Sequence, residues 1–416
     1  MEKKYYDKEN LDKEGKKPEK ILLNFENYNT DKIKQEIEEN SKEELREMKI
    51  NKLQYIKSKR NYGIDLLRII SMYLICLLHV LGKGGILYGT KPQSVNYFIA
   101  WFLEISAYCS VDCYALISGY VGVLSKYKLS NFIYLWLQVE FYSLVILYIF
   151  AIIKHEMISR NTFLNHLLPV TYGRYWYFTA YLGLFLAKPY LNYSIYNMPK
   201  NMAKLNLIIG ITIIMILSRL NENFIYLSFG SNSFWLIILY IVGGYIKKYE
   251  PFKNIKKRYL ILLWIFFIVI TWIIKLVREI STKNSRENKG VAKNGNLFVS
   301  NLSITIFSVA VIMLELFSRI IFNKKIKIIE ILRVSSFGVY LIHLHTSIWL
   351  RLHKKFESFA SYNPILLILA SLGMSLAIYI ICSIIDYLRY LLFELIKVRK
   401  FLLKLEEKFN KRFIYV

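Results

Sequence analysis

The sequence predicts an all-α integral membrane protein: a bundle of about ten transmembrane helices preceded by a polar N-terminal extension. Three observations carry this. Of the 416 residues, 55% are hydrophobic, and the mean hydropathy is +0.32, which is apolar for a soluble chain. Long apolar runs recur from about residue 62 to residue 396. Only helices and closed barrels satisfy their own backbone in a bilayer, and runs of this length read as helices. Aromatic residues reach 16%, with 33 Tyr and 26 Phe, and such rings favour the two membrane–water interfaces.

Taken in order, residues 1–60 are rich in Lys, Glu and Asn. From about Asp31 to Arg60 the pattern becomes helical, with Ser41 and Glu44 spaced as a capping box. This zone reads as a polar, solvated cytoplasmic extension, partly disordered or helical. It is too long and too polar for a cleaved leader, so the first apolar run is a retained helix. The ten segments lie near 62–82, 96–122, 131–153, 175–192, 204–219, 232–247, 258–277, 298–322, 334–351 and 364–391. The fourth and fifth are the shortest, and the fourth carries Lys188. Residues 61–396 form the transmembrane domain, and residues 397–416 a basic tail.

An even number of spans puts both termini on one side. Arg46, Lys49, Lys52, Lys57, Lys59 and Arg60 precede the first helix, and Lys397, Arg399, Lys400, Lys404 and Lys408 follow the last. Positive residues beside spans favour the cytoplasm, so both ends are expected there, in a multi-pass plasma-membrane protein. The connecting loops are balanced in charge and do not decide. The net charge of +26 therefore sets topology and meets anionic lipid. No aromatic-plus-basic groove motif accompanies it, which excludes nucleic acid as a partner. Cys76, Cys109, Cys113 and Cys382 all lie inside apolar runs. They give neither a disulfide framework nor a set of metal ligands, so no metal is expected.

Within the first segment, NYGIDLLRIISMYLICLLHVL, Arg68 and His79 stand eleven residues apart. That is close to three helical turns, so they share one face about 16 Å apart along the axis. Ionisable groups inside a membrane helix are costly and mark functional sites. Asp65, three residues before Arg68, can neutralise it locally. A neutral imidazole can accept a proton from a hydroxyl, which makes His79 a candidate general base.

The second segment adds Glu104, Asp112 and Ser118-Gly119-Tyr120. These acids read either as proton handles or as polar contacts between helices. In the fourth segment Arg174 and Lys188 are candidate anion contacts. Tyr175, Trp176, Tyr177 and Phe178 form either an interface belt or the wall of a sugar site. His343 and His345 point to different helix faces, and Asp386 and Arg389 are spaced to pair with each other. No phosphate loop, dinucleotide fingerprint or nucleophile elbow appears, so any catalysis happens inside the bundle.

Together these pieces resemble the membrane-bound acyltransferase-3 family of bacterial surface-carbohydrate O-acyltransferases. The matching features are Arg68-x10-His79 after Gly-Ile-Asp-Leu-Leu, Leu116-Ile117-Ser118-Gly119-Tyr120, and YWYFTAYLGLFLAKPYLN. FWLIILYIVGGYIKK (234–248) and SSFGVYLIHLH (335–345) complete the set. The resemblance covers about residues 60–392. It implies transfer of an acyl group, usually acetyl from acetyl-CoA, to a hydroxyl of a glycan or lipid-linked sugar, with no tightly bound cofactor. His79 would be the base or acyl carrier, supported by Arg68 and Asp65. Arg68, Lys126 and Lys128 would meet the donor, with Lys247 and Lys248 as further cations near its phosphates. Ser118, Tyr120, Trp176, Tyr177 and His343 would line the substrate site. Asp112 and Cys113 stand where many members are apolar, and the basic cluster after the second helix is reduced to Lys126 and Lys128. The alternative class is a transporter or flippase of a lipid-linked sugar, which would show inverted repeats; the sequence has no clear internal repeat. A glycan polymerase would need a longer loop outside the membrane than any here.

Overall fold

The computed structural model describes residues 60–123, 125–220, 230–284, 299–322, 324 and 326–413. The expected extension at residues 1–60 lies outside these, save its last residue. Asn61–Val416 forms one compact unit. Its described part is helical, without strands.

Helix α1 spans Tyr62–Leu81. Asn61 caps it, its side-chain oxygen accepting from the backbone N–H of Gly63 and Ile64 while its amide donates to Ser318 O. A short turn, α2 (Ile86–Gly89), leads to α3 (Val95–Tyr108) and α4 (Ser110–Gly122). Then follow α5 (Leu129–Lys154), α6 (Arg160–Leu167), α7 (Trp176–Asn197) and α8 (Lys200–Leu220). After them come α9 (Ser233–Tyr249), α10 (Lys257–Asn284) and α11 (Ile304–Ser318). The chain continues through α12 (Lys327–His343), α13 (Thr346–Leu352), α14 (Pro364–Leu395) and α15 (Val398–Phe413).

All ten expected segments fall on helices. Among the described residues, six helices are long and apolar enough to cross a membrane, or seven if α12 and α13 form one span bent by 74°. The remainder fall short for physical reasons. α11 has 15 residues and α9 has 17, less than the ~20 that a straight span needs. α7 carries Lys188 and Pro189 in its middle. The tail expected at 397–416 contains α15, which packs on α5: Leu402 is buried, and Glu406 accepts from the Ser130 hydroxyl at 2.6 Å.

α1 lies at the centre, against α3, α4, α11, α12 and α14. Glycines set the close crossings, as small residues do between membrane helices. A Cβ on Gly119 would stand 2.0 Å from Tyr240 O, and one on Gly243 2.1 Å from Leu116 O. These two glycines let α4 and α9 touch backbone to backbone. Gly119→Val is therefore expected to cost about 1–3 kcal/mol by forcing the helices apart. The check is the thermal midpoint of the purified protein in detergent, and an unchanged midpoint would refute this role.

Asp386 and Arg389 pair as the spacing predicts, at 2.8 Å and nearly without exposure. Gln138 and Tyr142 on α5 also donate to Asp386 Oδ1. The pair thus pins α14 to α5. A third joint closes the loop after α1, where Lys354 N and Phe356 N donate to Lys83 O and Gly84 O.

Candidate functional site

The site is built on two parallel helices, α1 and α12. At one end Asp65 Oδ1 lies 3.4 Å from Arg68 Nη1 and 3.7 Å from Arg333 Nε. Beside them Tyr62 Oη donates to Glu330. At the other end His79 Nδ1 meets His343 Nε2 at 2.9 Å. The two contacts occur in the same chain order, so the helices run in one direction. The spacing that put Arg68 and His79 on one face is met by a similar one on α12, Arg333 and His343.

With both rings neutral, hydrogen-bond chemistry assigns their protons. His343 Nδ1 faces the Val339 carbonyl at 2.5 Å. A carbonyl only accepts, so this nitrogen carries the hydrogen. In neutral imidazole the other nitrogen, Nε2, is then an acceptor. His79 Nδ1 must donate to it, which leaves the lone pair of His79 on Nε2. His343 is 1% exposed and cannot exchange this partner for water. The Trp349 ring stands edge-on to His79, with centroids 4.8 Å apart, and restricts the imidazole further.

A break in α12–α13 makes this arrangement possible. His345 accepts from Ser347 N through Nδ1 and donates to Ser143 O of α5 through Nε2. It caps α13 and holds the bend that brings Trp349 over His79. Arg174 donates to Thr346 Oγ1 at the same end.

The Arg68 end opens into a cavity of about 180 Å³ lined by Arg68, Ser118, Tyr181, Lys188 and Tyr240, among others. Two cations and several hydroxyls face one small space, and Lys188 makes no ion pair among the described residues. Such a space suits an anion. Between the two ends stand Tyr114, Tyr177 and Tyr340. Tyr114 and Tyr177 are 6.2 Å apart, Tyr177 and Tyr340 6.1 Å. Tyr177 N donates to Tyr340 Oη, and Tyr340 lies one turn before His343.

The structure brings together Asp65, Arg68, His79, Ser118, Tyr177, Lys188 and His343. Others stand apart. Lys126 and Lys128 are exposed and do not line the cavity. Tyr120 lies beneath Lys247, 4.9 Å from its ring centroid. Lys248 donates to Ile195 O and Tyr196 O and so caps the end of α7. Trp176 packs edge-on against Tyr177. Asp112 is buried and accepts from Trp235 Nε1 at 3.0 Å, a link between α4 and α9. Glu104 is buried on α3, away from the cavity. Arg333, Tyr340 and Trp349 were not singled out by sequence reasoning. The Arg–His spacing on α12 was the available signal for Arg333; nothing in the sequence marks Trp349, because a bend places it.

A family model described as an acyltransferase domain matches residues 61–384, from the cap of α1 into α14. The chain belongs to the acyltransferase-3 family. The match contains the whole line from Arg68 to His79 and the facing line on α12. No curated protein and no solved structure matches the chain significantly. As a multi-pass membrane acyltransferase of this family, the protein must bring an acyl donor and an acceptor to one place. Its polar line is the candidate for that place.

Proposed function

We propose that the protein moves an acetyl group from acetyl-CoA to a hydroxyl of a cell-surface polysaccharide or a lipid-linked sugar. The observation that carries this is the His79–His343 pair, which leaves a basic nitrogen on His79 at one end of a line whose other end is a cationic cavity. The donor phosphates lie at Arg68 and Lys188. The pantetheine arm, on the order of 16–18 Å when extended at standard bond lengths, matches the ~16 Å between Arg68 and His79 along α1. The thioester then stands at His79.

In the transfer, His79 Nε2 takes the proton from the acceptor hydroxyl as its oxygen attacks the thioester carbonyl. The carbon–sulfur bond breaks, and the leaving sulfur takes the proton from His79. His343 accepts the Nδ1 hydrogen bond throughout and stabilises the imidazolium as it forms. The positive residues beside the terminal helices favour the Arg68 end at the cytoplasm, where acetyl-CoA is made, with His79 toward the outer half of the membrane.

Mass spectrometry of surface glycans with and without the gene tests this directly. A difference of one acetyl unit per modified sugar is expected; glycans of identical mass would sink the reading. Arg68→Ala is expected to raise the KM for acetyl-CoA about tenfold or more while kcat falls less, since it removes a contact made before the chemistry. Radiolabel transfer in isolated membranes reads this out. An unchanged KM would make Arg68 structural.

A further inference from the structure

The His79 end of the bundle is cationic. Three loop segments meet there: 82–95 after α1, 154–175 between α5 and α7, and 344–363 around α13. Lys354 N and Phe356 N donate to Lys83 O and Gly84 O, Arg174 donates to Thr346 Oγ1, and the His166 and His345 rings stand 5.2 Å apart. Together the segments hold eight Lys or Arg and two Glu. Both acids are already taken: Glu156 pairs with Lys154 at 3.3 Å, and Glu357 with Lys354 at 3.8 Å. The other six cations make no ion pair among the described residues. The charged termini favour this end outside the cytoplasm, where Lys and Arg are ordinarily depleted. Cations kept there work against the topology and call for an anionic partner.

Lys83 ties this charge to the transfer site. It follows His79 by four residues, just past the end of α1. Its ammonium lies over the Trp349 ring, 5.4 Å from the centroid, and the same ring stands 4.8 Å from that of His79. This cation–π contact holds the ammonium near the imidazole without neutralising it. Lys83 is half-buried, and its ammonium has no hydrogen bond or ion pair among the described residues. Such a cation is complementary to an anion that arrives with the substrate. The donor phosphates lie at the Arg68 end of the line, so the anion met at Lys83 belongs to the acceptor. A neutral sugar has no use for that ammonium, whereas an acidic sugar held by it turns a ring hydroxyl toward His79.

We infer that the acceptor is an anionic glycan, a polysaccharide with a carboxylate or phosphate on its repeating unit, and that Lys83 selects it by binding that group while a neighbouring hydroxyl meets His79. This rests on the transfer reading above for the role of His79. Recognition of the acidic glycan is measured independently of it.

The test uses the full chain in phosphatidylcholine nanodiscs and two pairs of probes. One pair is an oligogalacturonate and its carboxyl-reduced, neutral form; the other is a phosphorylated dextran oligomer and the plain dextran. At least one acidic probe is expected to bind about tenfold or more tighter than its neutral form, and the pair that shows this tells carboxylate from phosphate. Lys83→Gln is expected to erase that preference and Lys83→Arg to keep it. Lys404→Gln, which removes an exposed cation of α15, is expected to leave it unchanged. No preference in either pair would overturn the inference. A preference that survives Lys83→Gln, or that falls equally in Lys404→Gln, would mean general adsorption of polyanions and overturn it too. With the cell's own glycan as acceptor, Lys83→Gln is expected to raise the KM for glycan and not that for acetyl-CoA. Surface glycans with and without the gene are weighed alongside. Acid-selective binding through Lys83 without an acetyl difference would sink the transfer reading alone, and an acetyl difference without acid-selective binding would sink this inference alone.

Discussion

Replacing His79 with glutamine is expected to reduce acyl transfer by about 10²–10⁴-fold, the usual contribution of a general base, while membrane insertion and abundance stay unchanged. Glutamine keeps the size and polarity of the site but has no basic nitrogen. Its partner gives a finer test. His343 fixes the tautomer of His79 by accepting its Nδ1 hydrogen, because the Val339 carbonyl has already claimed the other proton. His343→Gln retains an oxygen that can accept this hydrogen, so it is expected to lose less activity than His343→Phe, which cannot. Phe also leaves a buried donor on His79 without a partner. The measurement is acetyl transfer from labelled acetyl-CoA in membranes normalised for protein amount. Retained acetylation in His79→Gln would remove the catalytic role. Equal activity of the two His343 variants would remove the tautomer argument while leaving His79 as base.

The second large effect is on stability. Asp386→Ala is expected to destabilise the bundle by about 3–5 kcal/mol, the cost of leaving a buried cation uncompensated. Arg389 is 2% exposed at its side chain and Asp386 0%, so water cannot replace the carboxylate. Gln138 and Tyr142 would lose their acceptor at the same time. The double variant Asp386→Leu with Arg389→Met removes both charges and is expected to recover most of this loss. Thermal unfolding in detergent decides between them. If the single variant melts no lower than the double, the pair contributes nothing specific to holding α14 on α5.

The positions of the apolar helices were legible in the sequence because membrane spans are written in local composition. All ten expected segments are helical for that reason. Their adequacy as spans was less legible: α9 and α11 are short, and α12 breaks at Leu344–His345. The break depends on His345 reaching Ser143 on α5, some 200 residues earlier in the chain, and no local signal reports such a contact. The same division runs through the site. Helical periodicity alone put Arg68 and His79 on one stripe. It could not separate Lys188, which joins the cavity, from Lys126 and Lys128, which are exposed and do not line it.

By itself the sequence determined the class of molecule, the family, and the helical stripe that carries Arg68 and His79. Each of these is a property of residues within one segment, or of motifs in order along the chain. The tertiary structure decided which histidine faces His79, which of its nitrogens is basic, and which cations share a cavity with Arg68. These are facts about hydrogen bonds and proximity between helices far apart in sequence. An imidazole has two nitrogens of opposite role, and only the partner packed against it selects between them.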